Sequence, residues 1–113
     1  MKKVAWVGNS LEEMHDLPKA IRKAVGFQIH LLQEGVEPDD FKPMPSVGSG
    51  VYEIRVRNEH GQNTGRCFYV VKFKDAVFIL HAFEKKQQKT PKANLEKGKE
   101  RYKELLNYVR SIQ

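Results

Sequence analysis

One cysteine in 113 residues, Cys67, excludes an internal disulfide and points to a chain that works reduced. No apolar run approaches the roughly 18 residues of a transmembrane helix. The opening Met1-Lys2-Lys3-Val4-Ala5-Trp6 lacks the apolar core and small-residue cleavage site of a signal peptide. A cytoplasmic protein with no membrane partner is therefore expected. Repeats, low-complexity tracts and linkers are also missing, so residues 1–113 read as a single domain. The four histidines, His15, His30, His60 and His81, show no metal-ligand spacing, and Gly48-Ser49-Gly50 is too short for a phosphate loop. Neither a metal nor a cofactor is expected.

The chain does carry positive charge, unevenly. It is 40% hydrophobic and 30% charged, an ordinary globular balance, with a net charge of +6. Residues 1–40 hold 5 basic and 7 acidic side chains, residues 41–83 hold 6 and 3, and residues 84–113 hold 9 and 4. That gradient favours a localised anion-binding surface, with nucleic acid as the leading partner class.

Periodicity predicts an α+β domain in the order β-α-α-β-β-β-α. Val4–Val7 reads as a strand. Ser10-Leu11-Glu12-Glu13 fits a capping box, serine at the cap and glutamate three residues on. Pro18 breaks the helix and begins a second, whose apolar positions are Leu17, Ile21, Ala24, Val25, Ile29 and Leu32, with Gly35 as terminator. Residues 35–50, rich in proline and glycine, read as a loop. Strands follow at Val51–Arg57, Arg66–Phe73 and Ala76–Phe83, joined closely enough for an antiparallel meander. Thr90-Pro91 caps a last helix with Leu95, Tyr102, Leu105, Leu106, Val109 and Ile112 as its apolar stripe.

Two constellations could carry chemistry. Alternation along Val51–Arg57 places Glu53, Arg55 and Arg57 on one face, with Tyr52, Ile54 and Val56 toward the core. Arg66 opens the neighbouring strand, so three guanidiniums gather where an anion would relieve their repulsion. The second is His81-Ala82-Phe83-Glu84-Lys85-Lys86-Gln87-Gln88-Lys89-Thr90, an aromatic followed by lysines, which suits a stacked base and its phosphate. A core Phe83, a buried His81 and a solvated lysine loop would equally explain it. Cys67 reads as core.

Four segments resemble the HigB-like, phage-derived branch of the RelE/ParE toxin superfamily. They are Trp6-Val7-Gly8-Asn9-Ser10, Phe41-Lys42-Pro43-Met44, Gly50–Arg57 and Leu80–Pro91, the last being the most specific. The resemblance implies a RelE-like fold, a small antiparallel sheet with an N-terminal helix pair and a C-terminal helix. It also implies the toxin of a type II toxin–antitoxin pair, an endoribonuclease cutting mRNA on the ribosome and neutralised by a helix-turn-helix antitoxin. In that mechanism the substrate 2′-OH attacks the adjacent phosphate, and no metal is required. By segment match, Arg66 would stabilise transition-state charge, and Lys86 would bind phosphate and protonate the leaving group. Glu53 or His81 would act as base. Arg55, Arg57, Lys85 and Lys89 would bind RNA, and Phe83 would stack a nucleobase. The tail Tyr108-Val109-Arg110-Ser111-Ile112-Gln113 supplies no counterpart to the C-terminal His or Tyr that some members use. The alternatives are a ParE-like inhibitor of DNA gyrase and a non-catalytic phage or regulatory RNA-binding module.

Overall fold

A computed structural model describes residues 1–73, 75–85 and 90–112. Along the chain run β1 (Lys3–Trp6), α1 (Ser10–Asp16), α2 (Lys19–Gln33), β2 (Phe41–Pro43), β3 (Val51–Arg57), β4 (Asn63–Val70), β5 (Ala76–Glu84) and α3 (Lys92–Ser111). The strands form one sheet in the order β1-β5-β4-β3-β2. The class is α+β, as the sequence predicts, with one strand added and one pairing changed.

The added strand is β2, inside the segment expected to be loop. It is an edge strand ending at Pro43, a place where the missing N–H leaves no inner partner unsatisfied. The predicted first strand, β1, pairs in parallel with β5, so the sheet is mixed rather than the antiparallel sheet expected. β5 is buried from Val77 to Phe83, so it reads as an interior strand whose second edge needs a partner.

Helices cover both faces. Ile21, Val25, Ile29 and Leu32 of α2 pack with Ile54, Val56, Cys67, Tyr69 and Ile79 on one side. On the other, Leu105 and Val109 of α3 join Val51, Phe68, Val70, Phe78 and Leu80. The apolar spacing of α2 and the break at Pro18 match the sequence reading: Leu17 caps α1 in extended geometry, and Gly35 takes φ +79° just beyond α2. The α3 stripe differs. Its buried positions are Gly98, Arg101, Leu105 and Val109, whereas Ile112 is exposed. An arginine occupies a core position because its charge is matched there, as described below.

Both expected caps are also corrected. Asn9, not Ser10, precedes α1, and no side chain bonds the helix end. Ser10 is buried within the helix, and Glu13 turns inward to partners on β5 and α3 instead of back to the cap. Helix α3 starts after Pro91 with no side-chain cap, and the Thr90 hydroxyl donates to Glu53 instead of accepting from a helix N–H. Among the described residues, no helix is long and apolar enough to cross a membrane.

Candidate phosphate-binding site

Pairing on the α3 side of the sheet brings the predicted residues into two rows. Arg55 lies directly opposite Arg66, and Arg66 opposite Phe83. In the next row Glu53 faces Phe68, and Phe68 faces His81. A register shift at Phe68/Tyr69, with Phe68 opposite His81 and Tyr69 opposite Ile79, inserts Leu80 as an extra residue. This bulge changes the phase of alternation, so His81 and Phe83 join the α3 face already occupied by Phe78 and Leu80.

Like charges directly opposed on neighbouring strands destabilise a sheet unless they are compensated. Each arginine here has its own carboxylate. Asp40 Oδ1 accepts from Arg55 Nε at 3.1 Å and from Nη2 at 2.8 Å. Arg66 Nε lies 3.4 Å from Glu53 Oε1, an ion pair with almost no solvent exposure on either side. Arg66 also donates to the Gly65 carbonyl at 3.0 Å, and Thr90 Oγ1 donates to Glu53 Oε2 at 3.4 Å.

Burial decides the proton affinities. It pushes the Glu53 carboxyl above its ordinary value despite the opposing pull of Arg66, Lys42, Lys85 and Arg55. It lowers the Arg66 guanidinium against the attraction of Glu53. Lys85 is buried at the end of the same face, its backbone N–H donating to Thr64 O at 2.6 Å. Burial, then repulsion from Arg66, holds its ammonium below the usual lysine range. Four cations, Lys42, Arg55, Arg66 and Lys85, thus act on one buried carboxylate, with Asp40 as the second anion. The excess positive charge suits a phosphodiester.

Other predicted residues fall elsewhere. Arg57 sits exposed at the β3–β4 hairpin, donating to Gly61 O at 3.0 Å. Phe83 is buried, stacked on His81 with centroids 4.9 Å apart and edge-on to Phe68 at 5.3 Å, so it is not an open platform. His81 is buried too: Nδ1 lies 2.8 Å from Glu13 Oε1 and Nε2 lies 2.7 Å from Asn94 Oδ1. Lys86 and Lys89 lie outside the described residues. Sequence reasoning missed Lys42 and Asp40 as members of the site. Lys42 pairs with Glu53 across β2–β3 and stands in a segment that carries the family resemblance. No local signal marked Asp40. Among the described residues, no three His, Cys, Asp or Glu side chains converge where they could hold a metal ion.

The family model "Phage derived protein Gp49-like (DUF891)" matches residues 12–103. No curated protein sequence matches significantly. Among solved structures, an arginine double mutant of E. coli toxin RelE in the free state superposes with a TM-score of 0.59 at 19% identity, covering 92% of this chain and 97% of that one. The toxin–antitoxin complex RelBE2 from Mycobacterium tuberculosis contributes a chain with TM-score 0.53 and 22% identity, covering 74% and 98%. Isolated E. coli RelE gives 0.56 at 14% identity, covering 96% and 99%. The chain belongs to the phage-derived Gp49-like family, a family of RelE/HigB type, and has the fold of the RelE toxins.

Proposed function

We propose that this protein is the toxin of a type II toxin–antitoxin pair and cleaves mRNA, with the ribosome as the place of cleavage. The observation that carries the reading is the gathering of Lys42, Arg55, Arg66 and Lys85 around the buried Glu53 on one sheet face. A toxin acting only through protein contact needs no such cluster. The family and the fold support the same reading.

The chemistry requires no protein nucleophile. The substrate 2′-oxygen attacks phosphorus, the P–O5′ bond breaks, and the products are a 2′,3′-cyclic phosphate and a free 5′-OH. One proton leaves the 2′-OH and one arrives at the 5′-oxygen. Glu53 and Lys85 suit these two roles, because their surroundings push the carboxyl up and the ammonium down, drawing both toward neutral pH. Glu53 accepts and Lys85 donates. Glu53 has no exposed surface in the free protein, so RNA must open the Thr90 side of the site to reach it. Arg55 and Lys42 at the rim hold the backbone, and Arg66, fixed by Glu53, supplies charge to the transition state from a poorly screened position. Both His81 ring nitrogens already face Glu13 and Asn94, so His81 is not the base. Lys86 and Lys89 add phosphate contacts, and Arg57 extends the RNA track from the hairpin. A helix-turn-helix antitoxin neutralises the toxin.

Inducible expression with mapping of mRNA 5′ ends tests this. Wild-type protein should arrest growth and create new 5′ ends within coding regions, relieved by co-expression of the neighbouring small gene. Arg66→Ala and Lys85→Met should each reduce cleavage by about 100-fold, the scale of losing one transition-state charge partner. Growth arrest with DNA breaks and intact mRNA would replace this reading with gyrase inhibition.

A further inference from the structure

A part-buried polar network lies beside the cluster, built from residues other than Lys42, Glu53, Arg55, Arg66 and Lys85. Its centre is the Glu13 carboxylate of α1. Arg101 of α3 donates to Glu13 Oε2 through Nη2 at 3.0 Å and to the Leu80 carbonyl through Nη1 at 2.9 Å. The Ala82 N–H reaches Glu13 Oε1 at 3.4 Å, and His81 Nδ1 meets the same oxygen at 2.8 Å. An ionised carboxylate only accepts, so the His81 proton on that side is fixed on Nδ1. Asn94 closes the other side of the ring.

The helix is built for this contact. Asn94, Gly98 and Arg101 follow the i, i+4, i+7 spacing of one helical face. A Cβ on Gly98 would stand 2.7 Å from the Phe68 ring, and one on Gly8 would stand 2.7 Å from the Arg101 side chain. Both glycines therefore let their partners close in. The network grips β5 at its bulge, where His81 stacks on Phe83 and leans on Phe68 at 6.1 Å. Those two rings are the direct cross-strand neighbours of Arg66 and Glu53.

We propose that His81 is a positioning residue: clamped by Glu13 and Asn94, it fixes the Phe68–Phe83 floor on which the Arg66–Glu53 pair is held for catalysis. The inference rests on the RNA-cleavage reading for its activity readout alone. His81 never touches substrate, and α1 and α3 act on the site through it.

The test uses purified full-length protein and a defined RNA with Glu13→Gln, His81→Phe and Asn94→Ala. His81→Phe keeps a ring to stack but loses both hydrogen bonds. Asn94→Ala removes a single bond from a half-buried residue, so it provides a folded variant if the others are too unstable. Each should lower kcat by about 10- to 100-fold, the cost of a small misplacement of catalytic groups, with KM changed less than about 2-fold. Glu13→Gln combined with Asn94→Ala should be no worse than the poorer single variant, because both act through one ring. The pH–rate profile of His81→Phe should keep both limbs. Loss of a limb would make His81 a proton-transfer residue and overturn the proposal. So would lower thermal stability with unchanged kcat. If wild-type protein leaves RNA intact, the cleavage reading fails. Positioning is then judged by the Arg66 Nε–H resonance, which should shift in Glu13→Gln and Asn94→Ala, and an unmoved resonance would overturn it.

Discussion

Glu13 and Glu53 lie one on each side of the same aromatic floor, yet their environments act on them in opposite senses. Burial raises Glu13, but hydrogen bonds from His81 and Arg101 outweigh it and hold the carboxyl below its ordinary 4.5. Its contribution to stability is therefore present above that value and lost as pH falls through the lower folded pKa. Glu53 is raised above 4.5, so its contribution is complete below 4.5 and lost as pH rises through the folded pKa. At pH 7, thermal melts should show Glu13→Gln less stable than wild type by a few degrees and Glu53→Gln more stable by a similar amount. Both differences should shrink on acidification below 4.5. Glu53→Gln should also lose cleavage, the pattern of a group kept for function at a cost in stability. A destabilised Glu53→Gln would make this carboxylate structural.

At the scale of elements, two helical glycines separate propensity from packing. Gly26 of α2 has open space where a Cβ would stand, so Gly26→Ala should add about 0.5–1 kcal/mol to stability in a denaturant titration. At Gly98 of α3 an added Cβ would stand 2.7 Å from the fully buried Phe68 ring and 3.1 Å from Val47, so Gly98→Ala should cost about 1–3 kcal/mol despite the better helix former. Sequence periodicity could find both helices but could not distinguish these glycines. Alternation found the β3 face with Glu53 and Arg55, because one residue slipped in register would invert it. It could not find the bulge at Leu80, which has no signature of its own. Arg101 was missed because a charged residue reads as solvent-facing until its partner, 88 residues away, is seen.

The whole molecule gathers the site from four strands of one sheet, with Asp40 just ahead of the first. The gradient of basic residues was legible in the sequence and indicated an anionic partner. Lys42 and Asp40 joined the site only through the pairing of β2 with β3, which local pattern does not specify. The α3 face of the sheet supplies positive charge in excess of its carboxylates and three groups with shifted proton affinities, Glu53, Arg66 and Lys85, beside packed aromatic rings. In the proposed function this face directs attack by the RNA's own 2′-OH. The most direct measurement is cleavage of an mRNA bound to programmed ribosomes by the purified protein, beside the same mRNA with a single 2′-deoxy nucleotide at the cut site. Scission of the ribose strand to a 2′,3′-cyclic phosphate and a 5′-OH, with the deoxy strand intact, is the predicted result. Cleavage of the deoxy strand, or no cleavage of either, would contradict it.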